Sequence, residues 1–105
     1  MKWILITCLL AMVACSKKNE TTHYPACVQT VIDNGSADLT EILEYRYNNQ
    51  TVYLFGSACC DRLNFLYDVN CRQLCAPTGG ISGQGDGRCN DFIQNAVLVK
   101  TVWKR

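Results

Sequence analysis

Histidine, proline and net charge are all scarce in this chain. Its 105 residues include one histidine and two prolines, and ten Lys/Arg against nine Asp/Glu give a formal net charge of +1. The single histidine, His23, lies in a polar stretch, which argues against a catalytic or metal centre built on histidine. The balanced charge provides no basic stripe, so nucleic acid is not an expected partner. The apolar run at residues 3–14 is shorter than the ~20 residues that a membrane-spanning helix needs.

That short apolar run does fit a secretory signal. Lys2 precedes it and polar residues follow from Ser16 onward, which is the order of charged, apolar and polar regions in such signals. The sequence MVAC at residues 12–15 looks like the lipobox of bacterial lipoproteins, in which the chain is cut before a cysteine that carries the lipid. Cleavage of an ordinary signal near Ala14, which would leave Cys15 as a thiol, is the alternative.

These signals predict an envelope protein of three segments. They are a signal peptide at residues 1–14, a lipidated tether at 15–24 and a single cysteine-rich globular domain at 25–105. The membrane is then a partner through the lipid on Cys15. No acidic run follows that cysteine, which favours the outer membrane, facing the periplasm, over the cell surface.

Cysteine is the residue type that this chain has in excess, with eight copies. Leaving out Cys8 and Cys15, the remaining six are Cys27, Cys59, Cys60, Cys71, Cys75 and Cys89. An even number in a small exported chain predicts a disulfide framework, and each disulfide would contribute roughly 3–4 kcal/mol of stability. Zinc held by four of these thiolates is the competing interpretation, disfavoured by the oxidising compartment and by the lack of a C-x2-C pair.

Two of the six, Cys59 and Cys60, are adjacent. A disulfide between neighbouring residues requires strain, and successive side chains of a strand point to opposite faces. We therefore expect these two cysteines to reach two different partners, one on each face.

Residues 25–34 and 43–55 predict a helix followed by a β-hairpin. In the first segment Pro25 suits a first helical turn, and apolar residues recur at i, i+4 spacing. In the second, apolar and polar residues alternate on either side of Asn48 and Asn49, which tolerate the positive φ of a tight turn. The aromatic residues of this hairpin are expected to pack in the sheet and not to form a platform for sugars.

Residues 65–76 predict a second hairpin and residues 96–104 a last strand. The turn at 68–70 fits type I, and the next position, which normally wants glycine at positive φ, is Cys71. The mixed alternation of the last strand predicts that it is covered on one face and partly on the other. The expected fold is α+β, with a short N-terminal helix packed on an antiparallel sheet of about four to five strands and stapled by disulfides.

Three stretches carry a recognisable pattern: CCDRLNFLYDVN at 59–70, LCAPTGGISGQGDGRC at 74–89 and NDF at 90–92. They resemble a family of small uncharacterised lipoproteins of Gram-negative bacteria, whose pattern contains CCD, LYD and GGxxGxGDGxC. The likeness extends over about residues 25–103. The resemblance implies an envelope location and a domain of unknown function, without an activity, substrate or catalytic residue. This chain departs from the pattern at Cys71, where glycine is usual in the family.

Five of the seven glycines lie within residues 79–87. The residues of this possible binding loop are Gly79, Gly80, Gly83, Gly85, Asp86 and Gly87. A phosphate loop is excluded because no Lys-Ser/Thr follows the glycines. A calcium site is a weaker alternative, because its candidate ligands can equally be turn and cap residues; those candidates are Asp61, Asp68, Asp86 and Asp91. The favoured interpretation is a tight loop, bracketed by cysteines, that forms a recognition surface.

Together these features favour a lipid-anchored cell-envelope protein that acts as a non-catalytic binding or structural module. Its partner would be a protein or a glycan, and we expect a monomer without a metal or a cofactor. A small protease inhibitor presenting Arg88 and a calcium-dependent binding module are the alternatives. An enzyme is not expected, because the one histidine lies in the tether and disulfide-bonded cysteines cannot act as thiolates.

Overall fold

The domain is built on a five-stranded antiparallel sheet with a helix on one face. The computed structural model describes residues 23–59 and 61–105. Its elements are α1 (Ala26–Asn34), β1 (Leu39–Tyr47), β2 (Gln50–Ser57), β3 (Leu63–Tyr67), β4 (Gln73–Gly79), α2 (Phe92–Asn95) and β5 (Val97–Lys104). The strand order is β4-β3-β2-β1-β5. The predicted α+β class, with a helix on an antiparallel sheet and disulfide staples, is confirmed.

Part of the predicted organisation lies outside the described residues. This applies to the signal peptide, to most of the tether with the lipidation site Cys15, and to Cys60. Within residues 23–59 and 61–105, no helix has the length and apolar character needed to cross a membrane. Tyr24, at the end of the predicted tether, packs against the helix-side core and meets the ring of Tyr53 edge-on at 6.1 Å.

The first hairpin forms at the predicted turn. Asn48 and Asn49 have φ of 52° and 63° and join β1 to β2, with Tyr47 opposite Gln50. Asparagine adopts this left-handed conformation more readily than most residues with a side chain. The two strands can therefore pair in register directly from the turn.

The second hairpin depends on an aspartate. Asp68 is 8% exposed, and its Oδ1 accepts hydrogen bonds from the backbone N–H groups of Asn70 and Arg72 at 2.8 and 2.9 Å. These bonds hold the turn between β3 and β4. Cys71 has φ of 63° at the position where turn geometry calls for glycine, as the sequence predicts.

Each face of the sheet carries a small core. On the helix face, Val28 and Val31 of α1 are buried with Ile42 and Tyr53 of the sheet. The opposite face, here called the loop face, is centred on Phe92 of α2, which is 2% exposed. The other buried members of the loop-face core are Tyr47, Val52, Leu54, Leu66, Cys75 and Cys89.

One disulfide secures each face. Cys27–Cys71 ties α1 to the β3–β4 turn, and Cys75–Cys89 ties the glycine-rich segment to β4. Cys59 is also disulfide-bonded. The four cysteines above bind one another, so Cys59 is bonded to none of them. The prediction that Cys59 and Cys60 reach different partners involves Cys60, which lies outside the described residues.

β5 is an exposed edge strand, which corrects the expectation that it is covered on one face and partly on the other. Val97, Leu98 and Val99 are 63%, 53% and 48% exposed. Among the described residues the strand pairs with β1 alone, and its register shifts twice along that pairing. Bulges and lysines such as Lys100 are devices that discourage an edge strand from pairing with another chain. At residues 97–99 the apolar run reflects sheet propensity and not burial, whereas Val102 and Trp103 near the end of the strand are half-buried against the helix-face core.

Candidate functional site: two clefts on opposite faces

The glycine-rich segment at residues 79–87 is an edge cap for β4. The N–H of Asp86 donates to the carbonyl of Ala76 at 2.8 Å, and one carboxylate oxygen of Asp86 accepts from the N–H of Ala76 at 3.1 Å. Gly79 and Gln84 form a parallel bridge beside these contacts. Because the outer edge of a sheet presents unpaired backbone groups, the segment does for β4 what a neighbouring strand would do.

Two glycines of the cap are required by close contacts. Gly85 has φ of 77°, and a Cβ atom there would overlap the carbonyl oxygen of Ala76. Gly79 has φ of 86° and lies against the backbone of Arg62 and Asn64. The tight glycine spacing therefore has a structural cause: this backbone lies too close to its neighbours for a side chain.

Arg88, the specificity residue of the inhibitor alternative, binds its own loop. Its Nη2 donates to the carbonyl of Leu74 at 2.9 Å, and its Nε contacts Asp86 Oδ2 at 3.3 Å. The guanidinium thus holds the cap against β4 in this conformation. This arrangement adds no support to the inhibitor alternative.

The four candidate calcium ligands do not form a cluster. Asp68 lies in the β3–β4 turn, Asp86 in the edge cap, and Asp91 just before α2, while Asp61 is exposed beside β3. Among the described residues, no group of three or more His, Cys, Asp or Glu side chains is placed to hold a metal ion.

Three of these carboxylates are hydrogen-bond acceptors in the fold. The backbone N–H of Arg72 lowers the pKa of Asp68, and the backbone N–H of Arg88 lowers the pKa of Asp86. The hydroxyl of Tyr47 donates to Asp91, which lowers the pKa of Asp91 and raises the pKa of Tyr47. All three aspartates are therefore held in their charged form by local donors.

An aromatic cleft of about 400 Å³ opens on the helix face. Phe55 of β2 lies opposite Phe65 of β3, and Tyr67 follows two residues later on the same face. The rings of Phe55 and Tyr67 have centroids 4.6 Å apart. We call this site the aromatic cleft; its lining includes Leu39, Phe55, Leu63, Phe65, Tyr67 and Arg62.

The cleft exists because α1 is short. The helix has nine residues and packs on β1, β2 and β5, so the rings of Phe65 and Tyr67 on β3 stay only half-buried. Polar groups stand at the rim, where Asp61 and Arg62 line the cleft and Arg62 Nη1 lies 3.8 Å from Asp38 Oδ1. The site combines a wide apolar floor with a few charged groups at its edge.

The floor of the cleft is held in place by a hydrogen-bond network at the end of β3. Asn64 Oδ1 accepts from the N–H of Ser57 at 2.7 Å, and Asn64 Nδ2 donates to Thr78 Oγ1 at 3.0 Å. Ser57 Oγ in turn donates to the carbonyl of Leu63 at 3.0 Å. Three neighbouring strands are thus fixed to one another directly beside the aromatic rings.

A second cleft of about 490 Å³, lined by uncharged amide side chains as well as apolar ones, lies on the loop face between the edge cap and α2. We call it the amide groove; its lining includes Pro77, Thr78, Gln84, Asn90, Ile93 and Gln94. Of the predicted loop residues, Gly83 also lines this groove. Asp86 instead faces the edge of β4, as described above.

The sequence interpretation did not identify the aromatic cleft as a site, although it named Phe55 as a packing residue and Asp61 as a weak calcium ligand. A signal was available. Phe65 and Tyr67 are two residues apart and lie on the same face of a strand that pairs with the strand of Phe55. One nine-residue helix cannot cover all of that face. The pairing of β2 with β3 had to be known before this signal could be used.

The chain was compared with protein-family models, curated proteins and solved structures. A family model described as a domain of unknown function, DUF6970, matches residues 30–105. Neither the curated proteins nor the solved structures gave a match. The matched range contains all five strands, the edge cap and both clefts. The chain therefore belongs to the DUF6970 family, a family defined by a domain of unknown function.

Proposed function

We propose that this protein is a lipid-anchored, non-catalytic binding module of the bacterial cell envelope, and that it captures a protein partner through an apolar side chain seated in the aromatic cleft. The observation that carries the proposal is the row of half-buried rings of Phe55, Phe65 and Tyr67 beside α1. Binding pockets are concave and mainly apolar, with few polar groups that orient the ligand.

The size and rigidity of the cleft support this role. Its volume of about 400 Å³ lies within the roughly 300–1,000 Å³ range of ligand pockets. The rings stand on paired strands, and Asn64 bridges Ser57 and Thr78 next to them. A site that is already ordered loses little conformational entropy when it binds.

Three of the carboxylates are poor candidates for a general acid. A general acid needs a raised pKa, whereas hydrogen-bond donors lower the pKa of Asp68, Asp86 and Asp91. The balanced charge of the chain gives no reason to add nucleic acid as a partner. We take the working form of the module to be a monomer.

The anchor is proposed on the sequence of residues 12–15. We expect that replacing Cys15 with serine removes the protein from the outer-membrane fraction, since the lipid would no longer be attached. Fractionation of cells followed by immunoblotting measures this. A Cys8→Ser variant is the matched control and should stay in the membrane. A Cys15→Ser protein that remains with the outer membrane would contradict the anchor.

The cleft is tested with capped pentapeptides of sequence Gly-Ser-X-Ser-Gly, in which X is Gly, Ala, Leu or Phe. We expect affinity for the exported Cys15→Ser protein to rise with the apolar area of X, by about tenfold from Ala to Phe. Amide chemical-shift changes in NMR spectra should be confined to the strands that line the cleft. Equal shifts with X as Gly and Phe, or shifts on the loop face alone, would count against the proposal.

A pair of variants localises the binding. Tyr67→Ser removes a ring from the cleft, and Val69→Ser removes an apolar side chain that is 52% exposed in the adjacent turn. We expect the first to weaken binding of the Phe peptide about tenfold or more and the second to leave it unchanged. Circular dichroism on both variants separates loss of binding from loss of fold.

A further inference from the structure

We propose that the amide groove is a second ligand site and that it binds a neutral, N-acetylated oligosaccharide. The groove lies on the loop face, whereas the aromatic cleft lies on the helix face. The inference therefore stands on its own observations and does not depend on what the aromatic cleft binds.

The polar lining of the groove consists of uncharged groups with free hydrogen-bonding capacity. Gln84, Asn90 and Gln94 are exposed, and their side-chain amides make no hydrogen bond to another residue in the described part of the chain. Each primary amide offers two donors and one acceptor oxygen. The hydroxyl oxygen of Thr78 accepts from Asn64, which leaves its proton available to a ligand.

The absence of charge in the lining decides between ligand classes. The described residues that line the groove include no Asp, Glu, Lys, Arg or His. Phosphates and carboxylates are bound by arginine, lysine or helix N-termini, and hard cations are bound by carboxylates. A groove with amides and one hydroxyl offers these ligands no countercharge, so it suits a neutral molecule rich in hydroxyl and amide groups.

Apolar side chains in the same groove suit the apolar parts of such a ligand. Ile93 is 68% exposed, and Pro77 also lines the groove. A pyranose ring has a C–H face that removes apolar surface from water when it packs on such side chains. The acetamido group of an N-acetylated sugar adds a methyl group for these side chains, and a carbonyl and an N–H for the amides.

The two segments that form the walls of the groove, the edge cap and α2, are each fixed to the sheet. The Cys75–Cys89 disulfide and the Asp86–Ala76 bonds fix the edge cap, and buried Phe92 fixes α2. The backbone that carries the amides is therefore already ordered, which reduces the entropy lost on binding a flexible saccharide. The volume of about 490 Å³ is again within the roughly 300–1,000 Å³ range of ligand sites.

The test uses the full chain solubilised in detergent, with the tetrasaccharide of β1,4-linked N-acetylglucosamine as the probe and cellotetraose as the comparison. We expect saturation-transfer NMR titration to give a Kd of about 1 mM or tighter for the acetylated probe. Cellotetraose should bind at least tenfold more weakly. Equal binding of the two saccharides would overturn the N-acetyl selectivity, and no binding of either would overturn the site.

Variants then place the binding in the groove. The Gln84→Ala/Gln94→Ala protein should bind the acetylated probe at least tenfold more weakly, while Gln50→Ala, which removes an exposed amide at the start of β2, should bind normally. Tyr67→Ser should also bind the saccharide normally, which keeps this result distinct from that of the aromatic cleft. Unchanged binding by the double variant, with its thermal midpoint intact, would refute the assignment.

Discussion

We expect the C27S/C71S protein to unfold with a free energy about 4 kcal/mol lower than that of the parent chain. The two cysteines are 44 residues apart, and a cross-link over such a loop strongly restricts the unfolded chain. Loss of this amount is a large share of the ~5–15 kcal/mol that stabilises a typical domain. Urea unfolding followed by circular dichroism measures the difference.

The helix explains why this disulfide matters in the folded state as well. α1 has nine residues, Pro25 at its N-cap makes no side-chain capping bond, and Val28 and Val31 are its buried residues. An isolated helix shorter than ~12 residues is marginal in water. Without the bond to Cys71, α1 keeps only its packing on the sheet.

Two further variants separate the cross-link from local backbone strain. C75S/C89S, which opens a 14-residue separation, should lose about 3 kcal/mol. C27A/C71G should be about 1 kcal/mol more stable than C27A/C71A, because position 71 has φ of 63°. Equal stability of the parent and C27S/C71S under oxidising conditions would refute the structural importance of this staple.

The second large effect is expected from Gly85→Ala. A Cβ atom at this position overlaps the carbonyl oxygen of Ala76, so the edge cap must move away from β4. The Asp86–Ala76 hydrogen bonds and the contact of Arg88 with Leu74 depend on that approach. We expect a loss of at least about 3 kcal/mol in the free energy of unfolding.

Gly87→Ala is the matched control for this prediction. Gly87 has φ of 82°, close to the 77° of Gly85, but a Cβ atom on it meets nothing within 4 Å. We therefore expect its free energy of unfolding to fall by only about 1 kcal/mol, which is the conformational cost of a side chain at positive φ. Amide hydrogen exchange at Ala76 should accelerate in Gly85→Ala and stay slow in Gly87→Ala. Equal losses in the two variants would show that close approach at Gly85 does not matter.

The sheet carries a disulfide on each face and a cleft beside each of these two disulfides. On the helix face, Cys27–Cys71 holds α1 next to the aromatic cleft. On the loop face, Cys75–Cys89 holds the segment that forms the amide groove. The staples are therefore expected to preserve the shape of the binding surfaces as well as the stability of the domain.

Local patterns predicted α1 and the strands of this fold, whereas the four-residue α2 was not predicted. Asn48-Asn49 and the turn at Asp68 mark two hairpins, and the i, i+4 spacing in residues 25–34 marks the helix, because turn geometry and side-chain periodicity depend on near neighbours in the chain. The positive φ at Cys71 could be predicted for the same reason. In contrast, the exposure of β5 was missed, because an edge strand and a covered strand can have the same apolar residues.

The sequence by itself determined α1, the strands, the two hairpin turns and the need for disulfides, since these follow from local backbone preferences and from the small size of the domain. Only the tertiary structure decided which cysteines pair, that the glycine segment closes the edge of β4, and that Phe55, Phe65 and Tyr67 form one cleft. Each of these depends on strand order and on which face α1 covers. Those are relations between distant parts of the chain, and no local pattern specifies them.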